Sequence, residues 1–215
     1  MNGAWRRRAI AIEAAILALA DELRVQERSV WCAVYLALIG ALDGGESILG
    51  SVVVHGRPEL AHAEKTMGMF LNLLPIHVKA RGCTWAEFIV RVDERLQELQ
   101  QHRHYPLAQI QAELHLDFSA SLFNFVNFHV LSDSAEHSGV QGIGNGLDDT
   151  DYSFEVDVVK EEAASRHFFR VTLDPAIFDS DQIRHHVENI IAAMTRNRHE
   201  KIVYPGDQKT APNTL

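Results

Sequence analysis

The run Met67-Gly68-Met69-Phe70-Leu71-Asn72-Leu73-Leu74-Pro75-Ile76-His77-Val78 is apolar along most of its length and broken at two fixed places. Gly68 suits a backbone position that needs positive φ or the close approach of another segment. Pro75 cannot donate a ladder hydrogen bond and biases Leu74 toward extended geometry. Asn72 is the one side chain between Met67 and Pro75 with strong hydrogen-bonding groups, so burying it demands partners. These residues predict a bent crossover, buried from Met67 to Pro75, with an extended piece inside Phe70 to Ala80.

The flanking chain interleaves two periods. Ala9 to Val25 reads as helix, with Ile12, Ile16, Leu19 and Leu23 on one face. Ser29 can cap a second helix running to about Leu42, which is apolar on both sides and therefore buried nearly all round; Asp43-Gly44-Gly45 ends it. Ser47 to His55 is rich in β-branched residues and reads as a strand buried on both faces, followed by a turn at Gly56-Arg57-Pro58-Glu59. Thr84 with Glu87 forms a capping box that opens a helix whose stripe is Phe88, Val92, Leu96 and Leu99. Tyr105-Pro106 starts a shorter helix with Ile110 and Leu114 inward.

Beyond it, Phe123, Phe125 and Phe128 mark a strand from Ser121 to Leu131, and Gly139 to Thr150 is a glycine-rich loop. Ser153 to Lys160 and Arg166 to Leu173 alternate as a hairpin. Asp179-Ser180 caps a last helix with Ile183, Val187, Ile190 and Met194 inward, and Asp207 to Leu215 is a polar tail expected to be disordered. Interleaved helices and strands predict an α/β fold, a mixed β-sheet flanked by helices.

Bulk properties exclude several functions. A net charge of −9 argues against a nucleic-acid surface, and Trp5-Arg6-Arg7-Arg8 is too short to reverse that. The most apolar stretch, Val30 to Leu42, falls short of the roughly 20 residues that span a bilayer. Cys32 and Cys83 fit no zinc spacing and predict reduced thiols. With no signal-peptide pattern, a cytoplasmic location is expected.

Met67 to Pro75 resembles the G-x-F-x-N-x-x-P signature of nonribosomal peptide synthetase condensation domains, and Gly50 to Arg57 resembles the strand and Gly-Arg turn before it. His102-Arg103-His104-Tyr105-Pro106-Leu107 resembles the family's H-Q-D-Y-P-F, with Arg103 and His104 in place of Gln and Asp. Asp117-Phe118-Ser119-Ala120-Ser121-Leu122-Phe123 is similar to R-D-x-S-R-N-P-L-F with its Arg residues and Pro lost and one residue fewer. The order is the family's, and the likeness continues through the closing helix.

The resemblance implies one lobe, the C-terminal one, of a fold similar to chloramphenicol acetyltransferase, over residues 1–204 with a tail at 205–215. The family's H-H-x-x-x-D-G motif belongs to the other lobe and has no counterpart here, so no catalytic residue is assigned and the isolated chain is predicted inactive. By the resemblance, Gly68, Phe70, Asn72, Pro75, His102, Tyr105, Pro106, Asp117, Ser119 and Phe123 are structural or tunnel-lining. Asn124 and Asn127 either line the tunnel or satisfy sheet edges and water. Family chemistry joins carrier-tethered acyl and aminoacyl thioesters as an amide. It implies no directly bound cofactor, only the phosphopantetheine arms of carrier-protein partners. An N-terminal lobe in cis or in trans, or self-association, completes the site. The other reading is a non-catalytic binding or interaction module, either a degenerate remnant of such a domain or a recruiter of carrier proteins.

The remaining polar groups point elsewhere. His185-His186 lacks the Asp and Gly of the catalytic motif, since positions 190 and 191 are both Ile. His102 and His104 lack the further ligands a metal needs. Asp117 and Ser119 suit a turn brace. Gly142-Ile143-Gly144-Asn145-Gly146 stands among Asp148, Asp149 and Asp151, which would repel phosphate. The open face of a lone lobe is expected around Phe123 to Phe128 and Gly139 to Thr150.

Overall fold

The computed structural model describes residues 6–11, 14–45, 47–58, 62–63, 66–115, 120–126, 152–161 and 166–203. In chain order these form β1 (Arg6–Ala11), α1 (Ala14–Leu23), α2 (Glu27–Asp43), β2 (Ser47–His55), β3 (Leu71–Lys79), α3 (Trp85–Gln100) and α4 (Leu107–Leu114). There follow β4 (Ser121–Val126), β5 (Phe154–Glu161), β6 (Arg166–Leu173) and α5 (Ser180–Arg196). The strands make one mixed sheet in the order β1-β6-β5-β4-β2-β3. β2, β4 and β5 run parallel, and the other pairs are antiparallel.

Helix α2 is the centre of the core. Every residue from Val30 to Leu38 is buried, as a helix apolar all round must be. It lies against β2 and β4 and is enclosed by α1, α3 and α5. Trp31 packs on Phe169 of β6 at 5.7 Å between ring centres, and Tyr35 stacks on Phe123 of β4 at 5.5 Å. Alternation along the strands turns Ile48, Val52, Leu74, Ile76, Phe123, Val156 and Val171 toward this helix layer. Each such apolar side chain contributes about 1.5–3 kcal/mol.

The ends follow local chemistry. Gly44 closes α2 in the left-handed region at φ 64°. Thr84 and Glu87 form the full capping box of α3, with the Glu87 carboxylate accepting from the Thr84 amide at 2.8 Å. Asp179 caps α5 by accepting from the amides of Asp181 and Gln182.

Several expectations change. The helix expected over Ala9 to Val25 starts only at Ala14, because Arg6–Ala11 pairs as an outer strand with β6. A free strand edge satisfies those backbone groups and overrides a weak helical period. α2 begins at Glu27 with Gln26 as cap residue, so Ser29 lies inside the helix rather than at its cap. Its hydroxyl instead donates to Asp93 of α3 at 2.5 Å, and the same carboxylate accepts from the Gln26 amide.

The strand expected to be buried on both faces leaves Ser47, Leu49 and His55 exposed, because no described helix covers the sheet's second face there. Met67 and Met69, expected buried, are 96% and 88% exposed. Burial begins only at Leu73, inside β3. Leu114 of α4 is 55% exposed, while Ile110 is half-buried. The stretch Gly139 to Thr150 and the tail 205–215 lie outside the described residues. No described helix is long and apolar enough to cross a membrane.

Candidate functional site

Three separate stretches of sequence meet beside the start of β3. Asn72, on its helix-facing side, donates through Nδ2 to the carbonyls of Arg103 at 3.1 Å and Tyr105 at 2.7 Å. The one polar side chain of the Met67–Pro75 run is thus satisfied by the turn between α3 and α4. Pro106 then opens α4 from an extended conformation, φ −65° and ψ 131°. The Tyr105 hydroxyl donates to Glu113 Oε1 at 2.8 Å, and that carboxylate raises the Tyr105 pKa.

On the other side, Arg57 braces the connection between β2 and β3. Its Nη1 donates to the carbonyls of Ala63 and Thr66, at 2.6 and 2.7 Å. Its guanidinium sits 4.2 Å above the Phe70 ring centre, a cation–π contact. Gly56 donates to the Phe70 carbonyl at 2.7 Å, and a Cβ at Gly56 would lie 3.1 Å from His104 Nδ1. Gly68 holds φ 157°, open to glycine and rare for other residues. The structure therefore brings together Gly68, Phe70, Asn72, Tyr105, Pro106 and His104.

An open apolar hollow of about 260 Å³ adjoins this junction, lined by Leu74, Pro75, Leu99, His102, Tyr105 and Ile110. Pro75 sits on the edge strand β3, where a missing amide is tolerated. His102 and His104 are exposed in the turn after α3. Among the described residues no group of three or more His, Cys, Asp or Glu suits a metal ion. His185 is exposed and His186 half-buried on α5, far in sequence from the junction.

Phe123 is separate from the junction: it is buried against Tyr35 on the helix side of the sheet. Phe125 packs against the same core. The open face therefore does not carry these aromatics. Its exposed and half-buried residues include Leu49, Val53, Leu71, Asn124 and Asp157, alternate to the helix-facing set, while Ser51, Leu73 and Leu122 on the same face are buried. Asn124 donates across β4 and β5 to Asp157 Oδ1 at 3.1 Å, a cross-strand contact on that face. Asp117, Ser119, Asn127 and Phe128 lie outside the described residues.

Sequence reasoning missed the Tyr35 hydroxyl. β2 and β4 pair at a single register position, Val52 with Phe123. Beside it, the Ser51 amide donates to Tyr35 Oη at 3.0 Å, and Oη lies 2.8 Å from Ser121 Oγ. A glycine among β-branched residues, Gly50, was the available signal of a close approach.

The family model for the condensation domain matches residues 7–201. The chain is 24% identical over 199 residues to gramicidin S synthase 2 of Brevibacillus brevis, covering 86% of this chain and 4% of that protein. It is 34% identical over 127 residues to the AMB antimetabolite synthetase AmbE of Pseudomonas aeruginosa, covering 58% of this chain and 6% of that protein. Among solved structures, the first condensation domain of the calcium-dependent antibiotic synthetase, in complex with a substrate analogue, superposes with a TM-score of 0.70 at 16% identity, covering 98% of this chain and 49% of that one. A four-domain nonribosomal peptide synthetase bound to AMP and glycine gives 0.77 at 11% identity, covering 92% of this chain and 17% of that one. The chain thus spans about half the length of that condensation-domain structure. With the fold and the family match in agreement, the chain belongs to the condensation-domain family of nonribosomal peptide synthetases.

Proposed function

We propose that this chain is the C-terminal lobe of a condensation domain that joins carrier-tethered acyl and aminoacyl thioesters as an amide. The observation that carries this reading is the junction at β3, where Asn72 ties the first signature to the second. Asn72 reads backbone carbonyls, so the Arg103 and His104 replacements leave the tie intact. In this reading the lobe supplies one wall of the substrate tunnel, with Asn124 on it, and part of the docking surface for carrier proteins and their phosphopantetheine arms. The work takes place in the cytoplasm.

The sequence holds no H-H-x-x-x-D-G motif, and positioned acid–base groups typically contribute about 10²–10⁴-fold. The general base would come from an N-terminal lobe on the same or another polypeptide, meeting the open sheet face. Reconstitution tests this: the chain is mixed with an N-terminal lobe bearing the motif and two loaded carrier proteins. Amide should form in the mixture and not with this chain alone. Product from this chain alone, lost in His185→Ala or His186→Ala, would overturn the assignment of the base.

The loss of Arg and Pro from the Asp117 to Leu122 signature favours a second reading, a non-catalytic carrier-binding module. Carrier binding without amide formation in the reconstituted mixture would select it.

A further inference from the structure

At the far end of the β2–β3 pair from the junction, Ser47 Oγ lies 2.6 Å from His77 Nε2. Ser47 stands directly opposite Lys79 in the ladder, and His77 is opposite Leu49, its diagonal neighbour. Alternation puts Ser47, His77 and Lys79 on the same face, and all three are exposed. Directly opposed residues have Cβ atoms about 4.5–5.5 Å apart, so the Lys79 side chain leaves the sheet beside Ser47. A hydroxyl within hydrogen-bond reach of an imidazole is the arrangement of a nucleophile and its base, and a lysine opposite it in the ladder adds positive charge to that end of the face.

We propose that Ser47, His77 and Lys79 form an acyl-transfer site that takes small activated acyl esters or thioesters, independent of the lobe reading above. With the imidazole proton on Nδ1, Nε2 accepts the hydroxyl proton as Ser47 Oγ attacks the acyl carbonyl carbon. The oxyanion forms beside Lys79. Its collapse breaks the C–O or C–S bond, and Nε2 returns the proton to the departing alkoxide or thiolate. Water, deprotonated by the same nitrogen, then attacks the acyl-serine, releases the carboxylic acid and restores the hydroxyl. His77 is faced across the β3 edge by Arg91, Glu94, Arg95 and Glu98 of α3, besides Lys79 on its own strand. The site is open to water, so its rate gain falls at the low end of general-base catalysis, about 10²-fold or less.

The test is labelling of the full chain with a fluorophosphonate, read by peptide mapping. Ser47 should carry the phosphonyl group ahead of every other serine. His77→Ala should slow labelling at least about tenfold and Lys79→Met should slow it less, while urea midpoints stay unchanged because both side chains are exposed. Labelling of Ser47 no faster than of other serines, or an unchanged rate in His77→Ala, would each overturn the proposal.

Discussion

A Cβ on Gly50 would lie 2.8 Å from Tyr35 Cε1 and 2.9 Å from its hydroxyl oxygen. The ring is buried and stacked on Phe123 and Phe154, so it cannot move aside. Gly50→Ala should therefore cost about 1–3 kcal/mol, as overpacked cores do. Tyr35→Phe should cost about 1–3 kcal/mol for another reason: it strips a partner from the Ser51 amide and the Ser121 hydroxyl. Urea unfolding measures both, and a neutral Tyr35→Phe would show that water fills the gap between β2 and β4.

Asp93 is the cap that α2 lacks in its own sequence. It is buried and accepts from Ser29 Oγ, the Gln26 amide and Gln97 Nε2, the last at 2.5 Å. Asp93→Ala should destabilise by about 1–3 kcal/mol, since the buried Ser29 hydroxyl and the Gln26 amide lose their acceptor. Its exposed neighbour Glu94 serves as control, with Glu94→Ala expected within about 0.5 kcal/mol of the parent. Equal midpoints for the two variants would rule out the capping role.

Asn72→Ala should loosen the turn between α3 and α4 more than it loosens the sheet. Both carbonyls it serves belong to that turn, and α4 has no fully buried residue to hold it in place. Asn72→Asp should be worse, because a carboxylate would face two carbonyl oxygens. Hydrogen exchange is the readout: amides of residues 102–114 should lose protection while those of β2 and α2 keep theirs. Uniform loss across the chain would mean that Asn72 supports the whole sheet instead.

These effects also mark what the sequence could and could not disclose. Local chemistry was readable: the capping box at Thr84, the Asp179 cap, Gly44 and the β5–β6 hairpin all depend on residues close in the chain. So was the need of Asn72 for partners, though not which ones, since Arg103 and Tyr105 lie about thirty residues on. Ser29 reads as a cap from sequence because its acceptor, Asp93, belongs to another helix. β1 was missed because its pairing groups are on β6, and a strand edge leaves no periodic mark on the segment that joins it. The exposure of Met67 and Met69 escaped notice because apolar composition says what a residue prefers, not whether anything is there to cover it.

Alkaline pH should weaken the fold through Cys32. Burial pushes its thiol up to about 12, with Arg28 opposing the shift. Unfolded, the thiol ionises near its ordinary value of about 8.5. Between those values the folded chain holds a proton that the unfolded chain releases, so stability falls as pH rises. The Tyr35 hydroxyl, also raised by burial, adds to the loss at still higher pH. Cys32→Ala should flatten the slope by up to one proton, about 1.4 kcal/mol per pH unit. Midpoints that fall equally in parent and variant above pH 9 would remove Cys32 from the account.

If the chain pairs with an N-terminal lobe as proposed, the open sheet face should be where the two meet. Leu71, 58% exposed, and Leu49, 40% exposed, stand on it beside the half-buried Val53, opposite the helix layer. Contiguous exposed apolar surface of more than a few hundred Å² marks an interaction site in soluble proteins. Leu71→Glu should leave the urea midpoint within about 0.5 kcal/mol, because the side chain buries little within this chain. It should, however, weaken pairing with an N-terminal lobe at least about tenfold, since a carboxylate would be desolvated against the partner. Met67→Glu, at the exposed end of the same run, tests how far the contact extends. Sedimentation of the chain with and without the other lobe at micromolar concentration reads both, and also detects self-association through the same face. If Leu71→Glu pairs as tightly as the parent, the lobes meet elsewhere and the open face has no part in assembling the site.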